Sequence, residues 1–319
     1  ETWALERTIV GINRDFVHPD IRLVGGYGST WATDLNYPGL PEGTGLETRS
    51  HDPWLGWGIR LRSANEFGQR RRRLIPSVRV RLVDFVEPPR QFAESVDQWR
   101  NSNLYLGQIA ATGVDYHTTS LVFGFGETED IPSGLWLGLV GGFEHGERRD
   151  RLYHGVRFYW PRFYPSGGMR SVTAQLGGFR NGGRFEDGVL DLSLGGFTRL
   201  HRHRYGHWRH FFWLNYTLGM NRLGTAGIRL DDSGLRDLDS ITLAGDQRLV
   251  AEWESVLFTR LAFLGFKLAT FGYASGGFIG DEKTAVINER FQLNLGAGLR
   301  INNPRLVIPS VTLRVGLLS

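Results

Sequence analysis

Four histidines crowd the stretch His201-Arg202-His203-Arg204-Tyr205-Gly206-His207-Trp208-Arg209-His210. Imidazoles at alternate positions of a strand share a face, and from there two or three ring nitrogens could take a metal. Arg202, Arg204 and Arg209 stand between them, and fixed positive charge at that spacing opposes a cation, so the reading favours loop histidines and assigns no metal. Glu127, Glu129 and Asp130 lie close enough for acid/base work or calcium ligation, but the same carboxylates serve equally as a solvated loop or a structural turn, which is the reading taken. The run Arg70-Arg71-Arg72-Arg73 has the charge to hold a lipid headgroup or lipopolysaccharide phosphate, and also reads as a solvated hairpin tip. The chain has no cysteine, which excludes disulfides, thiolate nucleophiles, Cys-ligated zinc and iron–sulfur clusters. Gly-x-Ser-x-Gly, Walker, His-Glu-x-x-His and complete EF-hand patterns are all missing, so neither an enzyme nor a cofactor is expected.

The charge balance adds a second constraint. Against 33 acidic residues stand 37 basic ones, and all but Lys267 and Lys283 are arginine. A GC-rich genome produces such a bias; so does a narrow polar lumen, where a rigid five-donor guanidinium suits ion-pair ladders. A pI of 9.5 also fits nucleic-acid binding, but the arginines are spread along the whole chain and the aromatics form no stacking module, so no nucleic acid is expected.

What must position these residues is read from periodicity. Over Arg290 to Ile301, Phe291, Leu293, Leu295, Ala297, Leu299 and Ile301 alternate with Arg290, Gln292, Asn294, Gly296, Gly298 and Arg300, one face apolar and the other polar. Val311, Leu313, Val315 and Leu317 repeat the pattern, as do Val78, Val80 and Leu82, and Ile59 and Leu61. Similar segments lie near 8–16, 20–31, 103–116, 119–126, 134–144, 151–160, 170–180, 185–197, 209–219, 248–258 and 266–278. That makes about fifteen, at roughly 21 residues per unit, which suits a membrane strand of about 10 residues plus a connection. One helical pattern, Pro89 to Trp99, reads as a loop insert.

A soluble sandwich alternates too. The apolar faces here are too extensive for one soluble core, Gly and Arg recur on the polar face, and aromatics gather near strand ends, as at Tyr153, Phe158, Tyr159, Trp160, Phe163 and Tyr164. No apolar stretch is long enough for a transmembrane helix, and any secretory leader is already removed or was never present. In lipid every backbone donor and acceptor is paired internally, which among sheets requires closure. The expectation is therefore all-β: an antiparallel transmembrane β-barrel of about 15–16 strands forming one domain over 1–319. The long stretches 34–52, 86–102 and 221–247 are expected to be extracellular or lumen-entering loops.

The run Gly124-Phe125-Gly126-Glu127-Thr128-Glu129-Asp130-Ile131-Pro132-Ser133-Gly134, followed by Gly142-Phe143-Glu144 and Arg151-Leu152-Tyr153-His154-Gly155, resembles the barrel of the BamA/TamA-like outer-membrane assembly superfamily, in its Bacteroidota-type form. His51-Asp52-Pro53-Trp54-Leu55-Gly56, Gly245-Asp246-Gln247-Arg248-Leu249 with Glu254, and Gly296 to Leu306 extend the resemblance over most of the chain. It implies a family-motif turn containing Glu129, Asp130, Pro132 and Gly134, a sixteen-stranded barrel, and a loop within 221–247 that places an arginine in the lumen. Arg236 is the nearest match, with Glu252 and Glu254 as its partners, although Asp237 and Leu238 stand where the family has Gly and Phe and Ser275 where it has Asp. The resemblance further implies a POTRA-less, non-enzymatic subunit of a protein assembly or translocation complex in the Gram-negative outer membrane. Its partners would be lipid, lipopolysaccharide and other outer-membrane or periplasmic proteins of that complex. The alternative is a passive pore whose arginine-lined lumen favours anions.

Overall fold

The computed structural model describes residues 5–14, 21–34, 46–61, 71–87, 100–147, 149–223, 228–230, 244–281, 283–303, 305–306 and 310–319. The strands are β1 (Leu5–Arg14), β2 (Leu23–Asp34), β3 (Leu46–Trp57), β4 (Ile59–Arg60), β5 (Arg71–Glu87), β6 (Ser102–Thr119), β7 (Glu129–Gly146), β8 (Asp150–Phe163), β9 (Met169–Asn181), β10 (Arg184–Phe197), β11 (His201–His203), β12 (Gly206–Met220), β13 (Ile228–Arg229), β14 (Ala244–Gly245), β15 (Gln247–Phe263), β16 (Phe266–Gly280), β17 (Arg290–Asn302) and β18 (Ser310–Leu318). One 3₁₀ turn, Val286–Asn288, precedes β17. Among the described residues no helix is long and apolar enough to cross a membrane.

Sixteen of these strands form one antiparallel sheet that runs from β1 to β18 in chain order. β4 and β11 are short extensions of the β3 and β10 rows, pairing with β5 and β12, while β13 and β14 form a separate two-stranded ribbon. The all-β, antiparallel, single-sheet expectation is met, with helix neither needed nor found among the described residues beyond the one 3₁₀ turn. The three long connections, β2 to β3, β5 to β6 and β12 to β15, leave the same end of the sheet. The opposite, short-turn end carries the links β6 to β7, β8 to β9, β11 to β12 and β15 to β16.

The sheet is curled. From β7 to β16 it counts six steps, about 29 Å at roughly 4.8 Å each if flat. Yet Glu127, two residues before β7 begins, accepts from Lys267 of β16 at 3.3 Å, and Phe125 O accepts from the same Nζ at 2.8 Å. Two residues of chain span at most about 7 Å, so the two strands face one another across a concave surface.

Alternation then sorts each strand between the two faces. On β17 the apolar series Phe291, Leu293, Leu295, Ala297, Leu299 and Ile301 is convex, and the polar series meets the interior. Convex leucines and valines are bare, with Leu139 60 % and Val315 79 % exposed. The concave side differs from a uniformly polar lining. Toward the short-turn end it holds Val256, Phe258, Ala269 and Phe271 packed with Phe125, and farther along Val250 and Ile279 packed with Leu230. The clean alternation of β17 therefore weakens on β12, β15 and β16, where segments laid across the interior demand apolar seats.

Candidate functional site: a brace across the interior

The segment 119–126 reads by alternation as a strand, but residues 120–126 form a chain of bends that leaves the sheet and enters the interior. The cause is Glu129. Its carboxylate accepts the amides of Val122 at 3.1 Å, Phe123 at 2.8 Å and Gly124 at 3.0 Å, giving these donors partners that a ladder would otherwise supply. Glu127 takes the amide of Phe125 at 2.7 Å, and Thr118 donates to Asp130 at 3.0 Å across the root of the segment. Positive φ at Leu121 (58°) and Gly126 (112°) completes the reversal.

Glu129, Asp130, Pro132 and Gly134 lie together at this turn. Glu129 and Asp130 tie it, Pro132 of β7 sits opposite Tyr116 of β6, and Gly134 has φ of 144°, where a Cβ would stand only 1.9 Å from Gly113 O. Any side chain at Gly134 would force β6 and β7 apart, so glycine is dictated by close backbone approach.

Three contacts pin the far side of the segment. Arg209 of β12 is 1 % exposed and donates from Nη1 to the carbonyls of Ser120 and Leu121, both at 3.0 Å, with its guanidinium 4.8 Å above the Phe197 ring. Lys267 of β16 holds Phe125 and Glu127. Phe125 meets Phe258 edge-on at 5.9 Å, while Val122 packs with Ile131 and Phe197. The result is a polar root, a charged clamp and apolar seats. Glu127 titrates below the usual carboxylate range, held down first by its own backbone N–H against the pull of burial, then by the Phe125 amide and Lys267.

Beside the brace lies a cavity of about 470 Å³ lined by Phe123, Phe211, Trp213, Glu252, Glu254 and Arg300, among others. Glu252 and Glu254 are both on the concave face of β15, opposite Trp213 and Phe211. Glu254 receives Arg300 Nη2 on both oxygens at 2.7 and 2.9 Å across the intervening β16. Ser275, paired with Glu252 in register, is buried. Deeper toward the long-loop end, Arg248 donates to Thr217 at 3.1 Å, and Thr217 and Asn215 both donate to Asp191 at 2.9 Å. A further knot joins Arg151 to Glu144 at 2.5 Å and Asp187 at 2.6 Å, with Phe179 beneath the guanidinium. Asp52 and Arg79 pair on the concave side of β3 and β5.

Arg236 lies outside the described residues, as do the helical pattern 89–99 and Arg70. The described part of the 221–247 stretch puts Leu230 against Val250, Ile279 and Trp213, so that connection reaches the interior wall. Arg72 and Arg73 belong to β5 and pair in register with Gly113 and Thr112 rather than forming a tip. Among the histidines, His201, His203 and His210 share the convex face with Trp208, while His207 has the opposite parity. His210 stacks on Trp253 at 5.7 Å, and among the described residues no group of three or more potential ligands could hold a metal. Sequence reasoning missed Arg209, Lys267 and Arg300. Strand parity places Arg209 inside with Asn215 and Thr217, and Lys267 is one of only two lysines, but the carbonyls they hold lie 88 to 142 residues away and have no side-chain signature.

The class this arrangement defines is a large antiparallel sheet rolled around an interior furnished by its own connections. Similarity is found to the crystal structure of BamA from Haemophilus ducreyi lacking POTRA domains 1–3, with 10 % identity, all of this chain and 67 % of that one covered, and a TM-score of 0.48. No protein-family model and no curated protein matches the sequence.

Proposed function

We propose that the chain is a bacterial outer-membrane β-barrel of the BamA/TamA-like kind, closed in lipid. It serves as a non-enzymatic subunit of a complex that assembles or translocates proteins. The observation that carries this reading is the division of faces: bare leucines and valines on the convex side of β7, β10, β17 and β18, and ion pairs, amides and an anchored segment on the concave side. Such a surface is unfavourable in water and suits acyl chains, where a sheet must also pair its edges. The edge strands support a role that involves partners. β1 is exposed at Val10 and Ile12, every residue of β18 is exposed, and each edge has one neighbour among the described residues. The work assigned is scaffolding and local perturbation of the bilayer beside a weak seam.

The passive, anion-favouring pore is the second reading, favoured by concave arginines such as Arg79 and Arg151. The brace narrows the interior and weighs against it. Purification from gently solubilised outer membranes, followed by planar-bilayer recording, separates the two. A subunit copurifies with a reproducible set of proteins in fixed ratio and gives no stable current; stable anion-selective current from protein that copurifies with nothing would overturn the proposal.

A further inference from the structure

The rim of the sheet at the short-turn end carries charges that the brace does not use. Segments 160–170, 198–213 and 255–272 meet there and contain no Asp or Glu, yet they hold Arg162, Arg170, Arg199, Arg202, Arg204 and Arg260. At the long-loop end, by contrast, Arg149 and Arg151 are matched by Glu144, Glu186 and Asp187.

Within this rim Arg162 and Arg170 are direct register partners on β8 and β9. Both are exposed and convex, since the alternate residues Phe163 and Met169 pack inside. Opposed residues of an antiparallel pair start about 5 Å apart, and like charges in that position repel. Among the described residues no carboxylate pairs with either. Instead both guanidiniums lean on one ring, Tyr164, at 5.5 and 5.6 Å, and Arg162 also lies 5.9 Å from Trp160. The ring belongs to a tight turn closed by Tyr164 N to Gly168 O at 2.8 Å and Gly167 N to Tyr164 O at 2.9 Å. Beyond Arg170 the next register position is Gly196, which leaves open floor, and then Phe212. Toward mid-sheet the same face continues as Val172, Leu194 and Leu214, then Leu176 and Leu190.

Two planar forks thus start from directly paired positions and share one ring, next to an apolar floor. A phosphate between them converts repulsion into charge-assisted hydrogen bonds, and a ligand that also covers the floor must be a lipid rather than a free anion. We propose that Arg162 and Arg170 clamp the phosphate of an anionic glycerophospholipid whose acyl chains lie along Val172, Leu194 and Leu214. This rests on the membrane reading above.

The test reconstitutes the protein in vesicles of phosphatidylcholine with and without phosphatidylglycerol, and compares wild type with the double variant Arg162→Gln/Arg170→Gln. Phosphatidylglycerol raises the melting midpoint of the wild type but not of the double variant, and native mass spectrometry shows roughly tenfold weaker lipid retention in the variant. In pure phosphatidylcholine the double variant melts no lower than wild type, because the repulsion has gone. A control variant, Arg202→Gln/Arg204→Gln, keeps the phosphatidylglycerol response. Loss of that response in the control, its persistence in the double variant, or an equal midpoint rise from inorganic phosphate in micelles would each overturn the clamp alone. Failure to enter either vesicle would overturn the membrane reading and the clamp together.

Discussion

Glu129 and Arg209 show how few side chains set the interior. Glu129 is the acceptor for three successive amides, so Glu129→Ala leaves donors without partners at a cost of about 1–3 kcal/mol each where water cannot reach them. The melting midpoint in detergent falls in Glu129→Ala and recovers in part in Glu129→Gln; a variant that melts like wild type would mean the carboxylate does not hold the turn. Arg209→Met strands the Ser120 and Leu121 carbonyls while keeping the packing over Phe197. Limited proteolysis reads this as new cleavage within 120–128, and continued protection would count against the clamp. Glu127 gives the pH dependence its sign. A carboxylate held below its ordinary range contributes stability that is present above the unfolded value, about 4.3, and is lost as pH falls through the folded value. Its side chain is 47 % exposed, so solvent screening keeps the effect small. Melting curves at neutral pH therefore separate wild type from Glu127→Gln, and the gap closes in acid. At this scale the sequence was only partly legible. The cluster around Glu129 announced itself by composition, whereas Arg300 meeting Glu254 depends on β15 and β17 lying one strand apart, a relation fixed by register.

At the level of strands much more could be read in advance. The alternation of β17 and β18 marks face and direction because an apolar surround and a polar interior act on every second residue. Segment 119–126 misled for the same reason in reverse: Phe123 and Phe125 alternate with glycine, but Phe125 meets Phe258 and Val122 meets Ile131 and Phe197 in the interior. Glycine has a second use here. Tyr153 lies across β8 and β9 so that a Cβ at Gly177 would stand 2.4 Å from its hydroxyl, and Phe185 covers Gly178 and Gly188 in the same way. Gly177→Val must displace Tyr153 from the concave face, a repacking that typically costs about 1–3 kcal/mol. A lowered melting midpoint, restored in part by Tyr153→Ala in the same chain, is the expected outcome; simple additivity of the two changes would argue that ring and glycine do not interact.

For the molecule as a whole the decisive contact is the pairing of β1 with β18, the two edges of the sheet. The chain has no cysteine of its own, so cysteines can be introduced one on each edge, from Thr8 to Ile12 and from Val311 to Val315, without background. If the sheet closes in lipid, at least one pair in the panel oxidises to an intramolecular disulfide and resists heat-induced unfolding on a gel; a panel with no such pair would leave two free edges and remove the barrel. The same bare convex leucines predict that the protein requires detergent, and a monodisperse sample in plain buffer would contradict the division of faces.

Residues 120–128 are rooted between β6 and β7 and fastened to β12 and β16 on the opposite wall. A strut fixed at both ends across a curled sheet sets its span in that direction, so the curvature cannot tighten or relax there while Arg209 and Lys267 keep their grip. Any widening of the curve there must let go of the strut at Arg209 or Lys267, which makes the release of these two cations the earliest mechanical event of such a motion.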